Sequence, residues 1–173
     1  SSIRDYNTTY AAHILGRITR IYAEDWPEYR DKGYSMDALV GESGVENAFE
    51  DWLRGENGTR LVTTDDKGKI TGEVYMKEPK PGNIVSLTLN HDLQVATEDT
   101  LAKTIEGMID KDSDQRGGAA AVVEVGSGAV LALASYPSFD PSTFAQNYNL
   151  LLEDERLPMF NRAVNGTYAN GTT

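Results

Sequence analysis

The residues of this chain that could do chemistry are few, and their spacing assigns most of them to other work. A serine nucleophile activated by an amine needs its lysine one helical turn on, where the side chain can take up the hydroxyl proton. No serine here has a lysine three residues later, no Ser-x-Asn occurs, and Lys103-Thr104 is followed by Ile105 rather than glycine. His13 and His91 are the only histidines and there is no cysteine, which leaves no set of zinc ligands and no thiol chemistry. No metal or cofactor is expected. His13 lies beside Ala12 and Ile14-Leu15, the setting of a buried, hydrogen-bonded structural histidine; His91 reads as a solvated first-turn residue. Asp110-Lys111-Asp112-Ser113-Asp114 has the alternating carboxylates that open a calcium loop. The sixth and twelfth positions, where glycine and glutamate belong, are Gln115 and Ala121, so the run reads as a charged linker. Glu46, Glu50 and Asp51 could pair as acid and base, but a helix cap explains Glu46 and a polar helix face the other two. Gly126-Ser127-Gly128 has no helix or lysine after it and reads as a hairpin turn, not a phosphate loop.

These residues have to be held by elements that the local patterns define. Ser43 and Glu46 stand in the Ser-x-x-Glu relation of a capping box, and Val45, Phe49, Trp52 and Leu53 fall on one face of a helix over 45–53. Gly55 follows where such a helix would end, and Gly41, Gly44 and Gly58 permit turns around it. Upstream, residues 18–22 read as a strand and 23–40 as polar and turn-rich, with Trp26-Pro27 and Lys32-Gly33 as breakers. Residues 60–64 and 70–76 predict a hairpin, 78–82 a connector, and 84–89 a strand. Leu93, Thr97, Leu101, Ile105 and Ile109 recur at four, with Ala96 and Met108 beside them, a long helix that Asn90 or Asp92 can cap. Residues 119–125 and 129–136 form a second hairpin whose near-continuous apolarity predicts burial on both faces. Residues 137–157 read as irregular or short helical structure.

Composition limits what the whole can be. The 173 residues suit one domain, or one with part of another, and 39% apolar residues with nine tyrosines suffice for a core. A net charge of −11 excludes a general nucleic-acid binder and disfavours adsorption to anionic membranes. No apolar run approaches the roughly 18 residues of a membrane span, and no signal peptide opens the sequence. Asn-x-Thr sequons occur at Asn7, Asn57, Asn165 and Asn170.

The Gly41-x-x-Gly44-x-Glu46 block, six residues, then Leu53-x-Gly55-x-x-Gly58 resembles a motif in the non-catalytic N-terminal module of class B penicillin-binding proteins, the membrane-anchored D,D-transpeptidases of bacterial cell-wall synthesis. Ala12-His13-Ile14-Leu15-Gly16 resembles an earlier Ala-His-x-x-Gly segment of that family. Pro81-Gly82, Leu87-Thr88-Leu89-Asn90 and Asp92-Leu93-Gln94 resemble a later one. Residues 117–141, with Val130 to Pro137 and Phe139-Asp140-Pro141, resemble the opening strands of the transpeptidase domain, and Asn161-Arg162-Ala163 with Tyr168 the approach to its nucleophile. The resemblance implies an α+β fold: a mixed pedestal domain with short strands and two main helices, then a β-hairpin from the start of a transpeptidase-type sheet. It implies a pedestal or dimerisation module over 1–115 and an incomplete N-terminal portion of the transpeptidase domain over 116–173. His13, Gly16, Gly41, Gly44, Glu46, Leu53, Gly55 and Gly58 would be its structural motif residues.

By the same resemblance the partners are a glycan polymerase and other cell-wall synthesis proteins, with a possible homodimer and no nucleic acid. The place is the extracytoplasmic face of the bacterial cell membrane, the parent being anchored by a helix absent from this sequence. The family would set Pro-Gly-Ser-x-x-Lys after Tyr168-Ala169, where this sequence reads Asn170-Gly171-Thr172-Thr173. Thr172 stands at the nucleophile's position without the motif, so no catalytic residue is expected in this chain. The expected role is a non-catalytic positioning and protein-interaction module. The alternatives are part of a complete acyl-serine D,D-transpeptidase whose catalytic residues lie beyond this sequence, or an unrelated acidic extracellular binding domain.

Overall fold

The computed structural model describes residues 5–109 and 117–168. Two compact units divide the chain: one takes residues 1–48 and 87–173, the other residues 49–86. The first unit carries α1 (Ala12–Leu15), β1 (Ile18–Arg20), α2 (Trp26–Asp31), β2 (Leu39–Gly41) and α3 (Gly44–Ala48). It resumes with α5 (His91–Ile109), β5 (Gly118–Val123), β6 (Val130–Tyr136), a 3-10 turn at Pro141–Thr143, α6 (Phe144–Glu153) and α7 (Arg162–Asn165). The second unit holds α4 (Glu50–Leu53), β3 (Thr59–Thr64) and β4 (Ile70–Lys77). Every described sheet is a two-stranded antiparallel pair: β1 with β2, β3 with β4, β5 with β6. The architecture is α+β, as the sequence leads one to expect.

The helix α5 is built as its pattern predicts. Asn90 caps it, its Oδ1 accepting the Leu93 N–H at 3.0 Å. Ile105 from this helix is 6% exposed and sits in the core with Ala132 and Ala134 of β6, at 0% and 1%. The helix packs on both β5 and β6, and the alanines of β6 keep that approach close. A polar residue completes the same buried stripe. Gln94, 2% exposed, donates from Nε2 to the Leu133 carbonyl and accepts the Leu133 N–H at Oε1, both at 2.8 Å. Its amide thus pairs with one residue of β6 as a neighbouring strand would, which is why an amide can occupy a core position.

Several local expectations are overturned. The helix over 45–53 is two short helices, because Phe49 leaves helical geometry with φ −117° and ψ 21°. Its apolar stripe is not the buried one: Trp52 is 63% exposed while Glu46 is 9% exposed. Backbone packing decides this, since the Glu46 carbonyl lies where a Cβ on Gly41 would be. Residues 84–89 form no strand; Thr88 and Asn90 instead reach β6 singly, Thr88 Oγ1 donating to the Val130 carbonyl at 2.6 Å and the Asn90 N–H to that of Leu131 at 2.8 Å. The β5–β6 hairpin is not buried on both faces: β5 alternates, and Val123 is half exposed, because α5 covers one side of a two-stranded ladder. Ala96 and Met108 on α5 are exposed. The turn-rich stretch 23–40 contains α2, with Pro27 in its first turn where a missing N–H costs nothing. Within 137–157, α6 is a helix of 10 residues. The expected linker Asp110–Asp114 and boundary at 115/116 lie outside the described residues.

Candidate functional site

In the first unit, the two glycine motifs meet through bare backbone. Gly16 has φ +80° and Gly44 φ +59°, conformations that a Cβ resists. A Cβ on Gly16 would stand 1.8 Å from the Ser43 carbonyl oxygen, and one on Gly44 would stand 2.5 Å from that of Ile14. Gly41 is pressed in the same way against the Glu46 carbonyl, and Asn47 Nδ2 donates to the Gly41 carbonyl at 2.9 Å. Beside these contacts Arg17 forks onto Glu42, Nε to Oε2 at 2.6 Å and Nη2 to Oε1 at 2.9 Å. The guanidinium lies 5.2 Å from the Phe144 ring centroid. Hydrogen bonding to Arg17 holds the Glu42 carboxyl below its usual range, against the opposing effect of partial burial.

The other end of α1 is tied to α5. Ala11 adopts φ +59° and its N–H donates to Glu98 Oε1 at 2.7 Å, the same oxygen that accepts Gln94 Nε2 at 2.7 Å. Burial raises the Glu98 pKa, and these two donors only partly offset it. His13 places Nε2 2.7 Å from the Pro158 carbonyl, so that nitrogen carries the proton. Its ring meets Phe139 edge-on at 5.3 Å. Burial lowers the His13 pKa; the bond to Pro158 opposes that, and the Arg162 charge adds to it. His13 also lines an open cleft of about 530 Å³ with Ile14, Val45, Phe139, Met159 and Val164 among its walls.

The loop before α7 is held by side chains from several elements. Arg162 donates from Nη1 to the Leu157 carbonyl at 3.1 Å and from Nη2 to that of Arg156. Ser135 on β6 donates to the Phe160 carbonyl at 3.2 Å and accepts the Arg162 N–H at 2.9 Å. Leu157 is kept at φ +51°, a left-handed state that costs a leucine about 1–2 kcal/mol. Asn161 then caps α7, its Oδ1 accepting the Val164 N–H at 3.3 Å.

The second unit repeats the glycine logic. A Cβ on Gly82 would stand 1.9 Å from the Leu53 carbonyl oxygen, one on Gly55 2.5 Å from that of Lys80, and one on Gly58 2.7 Å from Pro79 Cδ. Glu56 and Lys80 form a bridge between their backbones, and the Glu56 carboxylate pairs with Lys77 at 3.0 Å and Lys80 at 3.2 Å. None of its residues is buried. Leu61 and Val74, directly opposite each other on β3 and β4, are 57% and 62% exposed.

The motif residues therefore fall into two groups. His13, Gly16, Gly41, Gly44 and Glu46 come together in the first unit, and Leu53, Gly55 and Gly58 in the second. His91 is exposed at the start of α5, 3.3 Å from Asp92. Thr172 lies outside the described residues. Sequence reasoning missed Arg17, Gln94 and Arg162 as organising side chains. The signal for Gln94 was its place on the apolar stripe of α5; for Arg17 and Arg162 no local spacing pointed to their partners. Among the described residues no cluster of His, Cys, Asp or Glu could hold a metal ion, and no helix is long and apolar enough to cross a membrane.

What the geometry assembles is a scaffold, in which close backbone contacts and side-chain clamps fix one segment against another. The chain belongs to the class B penicillin-binding proteins, and its residues 1–87 match the family described as the penicillin-binding protein dimerisation domain. It is 32% identical over 167 residues to the peptidoglycan D,D-transpeptidase MrdA of Acinetobacter baumannii, covering 94% of this chain and 23% of that protein. It spans about a quarter of the length of the curated relatives it matches. A solved chain from the work described as "Structural coordination of polymerization and crosslinking by a peptidoglycan synthase complex" is 35% identical, with a TM-score of 0.75 over 92% of this chain and 29% of that one. A chain from a complex between penicillin-binding protein PBP2 and MreC of Helicobacter pylori shares the fold, at 22% identity and a TM-score of 0.67 over 90% of this chain and 28% of its own.

Proposed function

We propose that this chain is the non-catalytic positioning and protein-interaction module of a bacterial cell-wall D,D-transpeptidase. Residues 1–115 are read as the pedestal and 116–173 as the first portion of the transpeptidase domain. The observation that carries this reading is the match of residues 1–87 to the dimerisation-domain family, joined to a scaffold whose motif residues His13, Gly16, Gly41, Gly44, Glu46, Leu53, Gly55 and Gly58 lie at backbone contacts. The partner is a glycan polymerase, supported by the similarity to a chain solved in a peptidoglycan synthase complex. The parent is a serine-type enzyme, anchored in the membrane and acting at its extracytoplasmic face, and the module can associate with a second copy of itself.

A fluorescent penicillin tests the non-catalytic half of the reading: this polypeptide stays unlabelled, and covalent labelling would overturn it. Capture of the cognate polymerase in detergent tests the other half, with loss of capture as the contrary result. Sedimentation at several concentrations tests self-association, and a monomer at high micromolar concentration ends that part. A second reading, part of a complete acyl-serine transpeptidase, is favoured by the relatives' names and by their roughly fourfold greater length. A Ser-x-x-Lys encoded directly downstream of residue 173 is its test.

A further inference from the structure

Three consecutive carbonyls in the loop before α7 are captured by side chains. Arg162 takes those of Arg156 and Leu157, and His13 takes that of Pro158, 145 residues away in sequence. Ser135 secures the end of the same loop through Phe160. A loop forced to keep Leu157 at φ +51° persists only where its surroundings over-determine it. Two of the clamps, Arg162 and Ser135, come from α7 and β6, beside the loop. The third comes from α1, at the opposite end of the sequence, and its ring is set by the edge contact with Phe139.

We propose that His13 is a positioning residue that carries the placement of α1 to residues 157–162, and through them to the catalytic serine of the parent protein. The inference rests on the transpeptidase reading above. The contact that matters is a donor at Nε2 facing the Pro158 oxygen, so a residue that keeps a donor there keeps the coupling, and one that removes it frees the loop while Arg162 still holds its neighbours. Burial keeps the ring neutral, with one nitrogen bearing its proton toward Pro158.

The experiment uses the full-length parent protein and the rate of acylation by a fluorescent penicillin, measured well below the melting midpoint of every variant. His13→Ala is expected to lower the acylation rate constant about tenfold with little change in penicillin affinity, the effect of a misplaced reacting group rather than of lost binding. His13→Gln, whose amide can donate to Pro158, is expected to restore the rate to within about threefold of the unsubstituted protein. His91→Ala, on the exposed start of α5, is the control and leaves the rate unchanged. A His13→Ala rate equal to the control overturns the inference, as does a loss in both His13 variants that tracks their melting midpoints. If the unsubstituted parent is not acylated at all, the transpeptidase reading falls and takes the inference with it.

Discussion

Gly16 and Gly44 touch through backbone alone: a Cβ on Gly44 would stand 2.7 Å from the Gly16 Cα, and both residues have positive φ. Two motifs 28 positions apart are therefore one structural object. Gly16→Ala must relieve a Cβ placed only 1.8 Å from the Ser43 carbonyl oxygen and a φ of +80° together. We expect a loss of about 3 kcal/mol or more, read as a lowered urea midpoint. A loss below about 0.5 kcal/mol would show that the two backbones can separate at little cost.

Gln94 offers a cleaner test of a single contact. Replacing it with leucine keeps a helix-forming residue of similar length but strips the Leu133 N–H and carbonyl of their 2.8 Å partners. The expected cost is about 2–4 kcal/mol, the desolvation penalty of two buried backbone groups. Hydrogen exchange at the Leu133 amide should quicken well beyond that of its neighbours. Equal protection in both proteins would mean that Gln94 is packing and not pairing.

Two titrations pull stability in opposite directions. Glu98 has its pKa raised above 4.5 on folding, chiefly by burial, so its contribution is complete below about 4.5 and is lost as pH climbs through the raised value. His13 has its pKa lowered below 6.5, again chiefly by burial, so its contribution is complete above about 6.5 and is lost as pH falls toward the lowered value. Glu98→Gln can still accept the Ala11 and Gln94 donors. The variant should therefore be the more stable protein at pH 7, with an advantage that vanishes near pH 4.5. Urea midpoints across this range decide it, and a variant weaker than the parent sequence at pH 7 would contradict the assignment.

Leu157 gives a fourth prediction. It is 56% exposed with φ +51°, so Leu157→Gly removes backbone strain and gives up little burial. A gain of about 0.5–1 kcal/mol in thermal unfolding is expected, against the usual cost of introducing glycine. A clear destabilisation would show that the leucine side chain, rather than the clamps around it, holds the loop.

Much of this was legible in the sequence where local rules govern. The Asn90 cap, the two hairpins and the Gly126-Ser127-Gly128 turn follow from residues within a few positions of one another. The glycine positions were legible as well, but not their partners, because Gly16 and Gly44 need each other's backbones and neither spacing nor propensity encodes a contact of that kind. The continuous helix over 45–53 failed for the same reason: periodicity predicts the apolar stripe as the buried side, while the close seat of Gly41 on Glu46 chooses another. Arg162 was invisible because its acceptors are carbonyls, which every residue has. The strand expected at 84–89 failed because alternation describes a surface that could pair, and here Thr88 and Asn90 make single bonds to β6 rather than a ladder.

The unit over residues 49–86 contains no buried residue, while the block that names the family runs from Gly41 to Gly58 and crosses into it after Ala48. Its β3–β4 ladder is mostly exposed, and the ladder itself, the Arg60–Glu73 ion pair and the Glu56–Lys80 bridge resist its opening. A protease offered this protein under native conditions should nick between Asp65 and Lys69, at the tip of that ladder, long before it reaches α5. Both halves of the family's signature would then stay with β3 on the fragment that keeps Gly16 and Gly44, and would be divided from β4, the strand that β3 pairs with.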